Sequence, residues 1–327
     1  MDARVALTFE VGEDSLGLVR RELADVASVE VLPGPGDPER PLSIATASAL
    51  VSWHPDREMS PEDWRSASQV RLLQTVSAGV DHVSFDRLPG HVLVAGNSGA
   101  YAKPVAEHAV AMALALAKRL LPAHQELASG VFDQLKESRS LGGSTVVILG
   151  YGGIGREVAR LIRPFGARVI GVNRSGAGDE NADEMARIEQ LGEALARAEF
   201  LFVSLPLTRT TKGLIAAREL AIMPRRSILI NVARGEILDE DALYAHLVAE
   251  PEFLAGLDTW WVEPFRHGSF ELNHPFLSLP NVLGSPHNSA SVEGATTFGM
   301  KCAAANVARF LRGETPAGLT GPEDRFR

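Results

Sequence analysis

Apolar residues along this chain gather in short β-branched runs, the pattern of strands buried on both faces of a parallel sheet. In the first part of the chain the runs fall at Arg4–Phe9, Val26–Leu32, Ala49–Trp53, Leu72–Thr75 and Val92–Ala95. Helical spacing predicts helices near Asp14–Leu23 and Pro61–Ser66, and Pro33-Gly34-Pro35-Gly36 reads as a turn. A second strand–helix alternation runs from Gly143 to about Pro286, with strands near Val146–Leu149, Val169–Val172, Phe200–Ser204, Ile228–Asn231, Leu254–Asp258 and Val282–Gly284. A last helix, about Ser291 to Leu311, follows once this second sheet is complete, and is expected to cross back onto the first domain. The expected fold is therefore α/β, with two doubly wound parallel sheets. Residues 1–98 and 290–327 are expected to form a discontinuous domain, and residues 99–289 the inserted one.

The most specific feature is Gly150-Tyr151-Gly152-Gly153-Ile154-Gly155, set between the run Thr145-Val146-Val147-Ile148-Leu149 and a helical stretch. In that stretch Val158, Leu161 and Ile162 recur at helical spacing, with Arg156, Glu157, Arg160 and Arg163 on the other face; Pro164 and Gly166 close it. Glycines at this strand-to-helix turn let the backbone approach a pyrophosphate at the positive end of a helix. Such units usually end their second strand in an acidic residue that binds the adenosine ribose. Here the strand ends in Asn173-Arg174-Ser175. A neutral Asn removes repulsion toward a 2′-phosphate, and Arg174 can pair with one, which favours NADP(H) over NAD(H).

Composition narrows the partners. Apolar residues make up 45% of the chain and charged ones 22%, as in ordinary globular proteins. A net charge of −9 argues against nucleic-acid and anionic-membrane partners. The single cysteine, Cys302, excludes an internal disulfide and offers no zinc cluster, so no metal site is expected. The start reads as a first strand and not as a signal peptide, which points to the cytoplasm. Pro104 to Leu121 is the most apolar stretch, but Glu107, His108 and Lys118 interrupt it, so a buried alanine-rich helix is expected rather than a membrane span.

Candidate chemistry clusters just past strand ends, where open α/β sheets place ligand contacts. Asn231-Val232-Ala233-Arg234-Gly235, Asp258 through Glu263-Pro264, and Ser285-Pro286-His287-Asn288 each follow a strand. An Arg, a Glu and a His converging there suit hydride transfer to a 2-keto acid. Arg234 would bind the carboxylate and polarise the carbonyl, His287 would give the oxygen its proton, and Glu263 would orient the imidazole.

These motifs, in this order, make the chain resemble the D-isomer-specific 2-hydroxyacid dehydrogenases of the glyoxylate/hydroxypyruvate reductase type. The likeness runs from about Val70 to Leu311 and includes Ser204-Leu205-Pro206-Leu207-Thr208, Thr211-Lys212-Gly213-Leu214-Ile215, Ser77-Ala78-Gly79-Val80-Asp81-His82 and Val105-Ala106-Glu107-His108. It implies a Rossmann-type nucleotide domain inserted into a flavodoxin-like substrate domain, with the active site in the cleft between them. It also implies that Arg234, Glu263 and His287 are catalytic. The Ser77, Ala78 and Gly79 backbone would meet the substrate carboxylate, with Trp53 a further candidate at the substrate side. The cofactor would touch Gly150, Gly152, Gly153, Ile154, Gly155, Asn173, Arg174, Ser175, Leu205, Pro206, Thr211, Val232, Ala233 and Asp258. A homodimer is expected, formed largely through the nucleotide domain and the Pro104–Leu121 helix.

Departures leave substrate size open. Trp260-Trp261 either narrows the nicotinamide side or packs in the core, and Trp53 either lines the cleft or packs between layers. Formate dehydrogenases of the same fold pair their histidine with Gln, where this chain has Glu263. A phosphite-oxidising relative would keep the Arg, Glu and His. A non-catalytic NAD(P)-sensing protein is the alternative from another class, set against survival of all three catalytic types.

Overall fold

The computed structural model describes residues 3–326. The chain divides into two compact units, one built from residues 1–101 with 293–327 and the other from residues 102–292.

In the first unit β1 (Ala3–Leu7), β2 (Ala27–Val31), β3 (Ala49–Ser52), β4 (Leu72–Thr75) and β5 (Leu93–Ala95) form one parallel sheet in the order β2-β1-β3-β4-β5. That is the flavodoxin-like order. Successive strand residues face opposite layers, and both layers here are apolar. Val5, Leu7, Val51 and Leu72 pack against Leu16, Val19 and Leu23 of helix α1 (Glu13–Leu23). Their neighbours Ala6, Leu50 and Leu73 pack the other way, onto Ile44, Met59 and Trp64. The late helix lies in this unit, with Met300, Ala303, Ala304 and Val307 in the first of these cores. It begins at Ala295, after Gly294 in the left-handed conformation, and not near Ser291. Beyond it, the Gly96 and Thr320 N–H groups bond Gly318 and Val94 carbonyls, so the C-terminal segment covers the edge of β5.

The second unit carries β6 (Thr145–Leu149), β7 (Arg168–Asn173), β8 (Glu184–Arg187), β9 (Phe200–Val203), β10 (Ile228–Asn231), β11 (Leu254–Leu257) and β12 (Val282–Gly284). All are parallel, in the order β12-β11-β10-β9-β6-β7-β8, the Rossmann arrangement with an added strand. Strand β8 went unread in the sequence because Glu-Met-Ala-Arg has no apolar run; at the sheet edge only Ala186 is buried. The Pro104–Leu121 stretch is not one helix. Helix α2 (Ala102–Ala117) ends, Arg119 turns left-handed at φ 55°, and α3 (Leu120–Ala128) starts anew. Pro122 explains the restart: it has no N–H to continue the ladder and so sits in a first turn, where none is needed. Much of α2 is buried, including Ala106, Ala109, Met112 and Ala113. A Cβ at Gly256 of β11 would collide with Ile230 at 2.7 Å, while Met112 and Leu116 of α2 would lie at contact distance, 3.4 Å. Among the described residues no helix is long and apolar enough to cross a membrane.

One buried ion pair in the first unit is testable. The Arg40 guanidinium holds Asp63 through two bonds of 3.0 and 3.1 Å, and also donates to the Pro33 and Glu58 carbonyls. Burial acts to raise the Asp63 carboxyl, but the Arg40 hydrogen bond and the Ser60 N–H outweigh it and hold it below the usual range. Asp63→Ala strands a buried guanidinium and should cost about 3–5 kcal/mol in denaturant unfolding near neutrality. A carboxyl lowered in the folded state stabilises above its unfolded value, near pH ~4, and loses that contribution as pH falls through the folded value. The gap between wild type and variant should therefore be full at neutral pH and shrink below about pH 4. A gap that does not change on acidification would contradict this.

Candidate active site

In a parallel sheet every strand delivers its following loop to the same edge. That edge of the second unit gathers the loops after β6, β9, β10, β11 and β12. The glycine turn after β6 leads into helix α4 (Gly153–Ile162). Gly150 stands at φ 101°, and a Cβ there would lie 2.5 Å from the Leu205 nitrogen, so the turn and the Leu205-Pro206 loop are in close contact. A Cβ at Gly155 would meet the Gly150 carbonyl at 2.5 Å. At Gly152, by contrast, nothing lies within 4 Å of an added Cβ. Space therefore opens at the N-terminus of α4, where unpaired N–H groups and the helix dipole suit a pyrophosphate. In the loop after β9, the Thr211 hydroxyl donates to the Pro206 carbonyl at 2.7 Å.

The strand end at Asn173 is built for shape. Its carboxamide oxygen accepts the Gly176 N–H at 2.7 Å and the Ser175 hydroxyl at 3.2 Å, while its nitrogen donates to Ala177 and Tyr151 carbonyls. Tyr151, the variable residue of the glycine motif, is buried, and its hydroxyl donates to Asp179 at 2.7 Å. Arg156 holds the other oxygen of that carboxylate, also at 2.7 Å. Burial and the Asp179 carboxylate push the Tyr151 hydroxyl well above the ordinary phenol range. The loop after β7 is thus clasped to the glycine turn.

Arg234, Glu263 and His287 are brought together through the loops that carry them. After β10, the buried Asn231 side chain accepts the Ala233 N–H and donates to the Arg234 carbonyl, which shapes that turn. Three ties hold this loop to the one after β11. A Cβ on Gly235 would collide with the Trp260 backbone, Trp261 Nε1 donates to the Leu238 carbonyl at 2.8 Å, and Arg266 pairs with Glu236 at 2.6 Å. Glu263 is buried; one oxygen accepts the Trp260 N–H at 2.7 Å and the other faces His287 Nδ1 at 2.7 Å. A carboxylate only accepts, so Nδ1 carries the hydrogen and Nε2 remains for chemistry. Burial acts to raise the Glu263 carboxyl, yet His287, the Trp260 N–H and the charge of Arg234 hold it below the usual range.

His287 itself has φ 49°, a left-handed conformation that side-chain-bearing residues seldom adopt. The turn is held by Asp258. Its carbonyl accepts the His287 N–H at 2.7 Å, and its fully buried carboxylate accepts the Ser285 hydroxyl at 2.6 Å and the Asn288 and Ser289 N–H groups at 3.2 and 3.3 Å. The two tryptophans pack. Trp260 Nε1 donates to the Ser285 carbonyl at 2.9 Å, and Trp261 stacks on Phe276.

Ser77, Ala78, Gly79 and Trp53 belong to the first unit. The Ser77 hydroxyl donates to the Gly79 carbonyl at 2.9 Å in the turn after β4. Trp53 lies edge-on to Phe9 and packs against the α1-side core, which favours the interlayer reading of this residue. Asn231 and His108 escaped sequence reasoning as individual site residues. The signal for Asn231 was an Asn closing an otherwise apolar strand, a site for a side-chain-to-backbone turn.

A nucleotide-binding sheet whose ligand edge also carries a histidine–carboxylate pair is the arrangement of an NAD(P)-dependent dehydrogenase. The model of the D-isomer specific 2-hydroxyacid dehydrogenase NAD binding domain matches residues 110–289, more than half of the chain, and the protein belongs to that family. Glyoxylate reductase of Thermococcus gammatolerans is 28% identical over 99% of this chain and 97% of its own length. Human glyoxylate reductase/hydroxypyruvate reductase is 29% identical over 90% of this chain and 92% of its own. A solved D-isomer specific 2-hydroxyacid dehydrogenase from Xanthobacter autotrophicus, in complex with NADPH and MES, superposes with a TM-score of 0.80. It is 26% identical, over 98% of this chain and 99% of its own.

The ties around Gly235 predict a sensitive position outside the reacting groups. Gly235→Ala must push the Arg234 loop off the Trp260 backbone. Keto-acid reduction should fall about tenfold or more in kcat/KM, with cofactor affinity within about twofold of wild type. Unchanged kcat/KM would show that the two loops need not touch.

Proposed function

We propose that the protein reduces a small 2-keto acid of the glyoxylate or hydroxypyruvate class to the D-2-hydroxy acid, with NADP(H) favoured over NAD(H). The observation that carries this is the His287–Glu263 pair, with the charge of Arg234 beside it, at the ligand edge of the dinucleotide sheet. When bound at the glycine turn, the reduced nicotinamide supplies the hydride. The Arg234 guanidinium binds the substrate carboxylate and draws electron density from the carbonyl. His287 Nε2–H gives its proton to the carbonyl oxygen, and the Glu263 carboxylate stabilises the imidazolium form that the donor requires. Backbone N–H groups of Ser77, Ala78 and Gly79 are assigned to the substrate carboxylate. The substrate class is supported by the names of the relatives and by small anionic substrates suiting an Arg clamp.

The cofactor preference rests on the strand end. Asn173 brings no negative charge and spends its side chain on folding its own loop; Arg174 and Ser175, which follow it, are the side chains assigned to a 2′-phosphate. The glycine turn, the Leu205–Thr211 loop, Val232, Ala233 and Asp258 complete the assigned cofactor surface.

We also infer a homodimer formed through the second unit. Leu120, Leu121, Leu127, Val131, Phe132 and Leu135 are exposed on α3 and the segment after it, a concentration of apolar side chains that a second copy would cover. Sedimentation at the mass of a single chain would refute this.

The deciding assay follows nicotinamide absorbance with NADPH and NADH against glyoxylate, hydroxypyruvate, pyruvate and phenylpyruvate. Turnover of the smaller acids with NADPH preferred is expected. His287→Ala should lower kcat by about 10²–10⁴ while retaining cofactor binding. Arg174→Asp should move the NADPH-to-NADH ratio of kcat/KM about tenfold or more toward NADH. A His287 variant near wild-type kcat would remove the acid–base assignment, and an unmoved ratio would remove the NADP(H) assignment.

A further inference from the structure

His108 on α2 approaches the His287 turn from outside the reacting groups. Its Nε2 lies 2.9 Å from the Ser285 hydroxyl oxygen and 3.6 Å from the nearer Asp258 oxygen. The second distance is too long for a hydrogen bond, so its contact with the carboxylate runs through the hydroxyl. The direction of each bond follows from what the groups can do. Asp258 accepts only, and its oxygen is 2.6 Å from Ser285 Oγ, so the hydroxyl hydrogen points there. The alternative acceptor, Met112 sulfur at 3.9 Å, is a weak competitor. With its hydrogen committed, Ser285 Oγ is an acceptor toward His108, which must present Nε2–H. The chain therefore runs His108 Nε2–H to Ser285 O–H to the Asp258 carboxylate. From there it reaches the N–H groups of Asn288 and Ser289, the two residues after His287.

We propose that His108 is a positioning residue for the acid–base histidine, a role that rests on the assignment of His287 made above. Without the His108 donor, the Ser285 oxygen loses the partner that orients its hydroxyl. The Asp258 carboxylate then shares its hydrogen bonds differently among three donors. Those bonds hold His287 at φ 49°, a conformation that relaxes when its support loosens. What loosens is the aim of Nε2, not the affinity for cofactor or keto acid. Imidazole at this position is one of two side chains with a ring or amide N–H at the right reach; the glutamine amide is the other.

The test compares His108→Leu, His108→Gln, Ser285→Ala and the His108→Leu/Ser285→Ala double variant, using NADPH with glyoxylate or hydroxypyruvate. His108→Leu should lower kcat about tenfold, with KM for the keto acid and Kd for NADPH within about threefold. His108→Gln, which restores an N–H, should stay within about threefold of wild type in kcat. The double variant should be no slower than Ser285→Ala alone, because one chain of bonds is broken only once. Wild-type kcat in His108→Leu, equal losses in the Leu and Gln variants, or multiplying losses in the double variant would each overturn the proposal. Should His108→Leu not fold, His108→Phe takes its place with the same split: its kcat must fall with both binding constants held. A readout without turnover comes from the 15N shifts of the His287 ring nitrogens. They should move in His108→Leu and stay in His108→Gln; shifts that stay in both overturn it. His287→Asn separates the two levels. If it turns over normally, the acid–base assignment falls; if it is dead while His108→Leu is normal, only the role of His108 falls.

Discussion

Asp258 is the constraint on which the site depends. A carboxylate with no solvent exposure must be satisfied entirely by protein donors, and here it is satisfied by the turn that carries His287. Burial of the charge and the unusual backbone of the histidine are two sides of one arrangement. The charge needs several N–H and O–H groups converging from one side, and a chain that supplies them must curl tightly enough to pass through a left-handed residue. A side chain at that residue carries a backbone cost of about 1–3 kcal/mol, which the buried bonds offset.

The second layer of organisation is the tie between the loops after β10 and β11. Glycine at 235 permits backbone contact, an indole bonds a carbonyl across it, and Arg266 and Glu236 lock it with a nearly buried ion pair. Arg234 and Glu263 are consequently set by loops braced against each other. That is how irregular segments hold side chains in fixed positions.

Much of this was legible in the sequence, for identifiable reasons. Buried parallel strands such as Val146–Leu149 and Ile228–Asn231 announce themselves because both faces need apolar residues, and the candidate residues Arg234, Glu263 and His287 lie in loops that follow such strands. Strand β8 was hidden because an edge strand is held by backbone bonds to β7, which do not require apolar side chains. The break at Arg119 was hidden because apolar composition continues across it, with only Pro122 to mark a new first turn. Trp260 and Trp261 could face a ligand or a core with equal chemical sense; the choice was made by carbonyls of Ser285 and Leu238, distant in the chain. His108 was readable only as part of a motif, since a polar residue on an apolar helix has no partner until the fold supplies one.

The connectivity of the first unit has a consequence for synthesis on the ribosome. Its sheet is finished by Ala95, yet the part of one face beside α1 is covered by Met300, Ala303, Ala304 and Val307, and its β5 edge by residues near Gly318. All the strands and covering helices of the inserted unit are made before those residues emerge. The unit begun first is therefore completed last, with an apolar sheet face and an open strand edge waiting through some two hundred residues of translation, roughly 10–40 s at ~5–20 residues per second. Through that interval the nascent chain depends on whatever shields exposed strands in the cell, and the inserted unit can close its own core while the surrounding one is still incomplete.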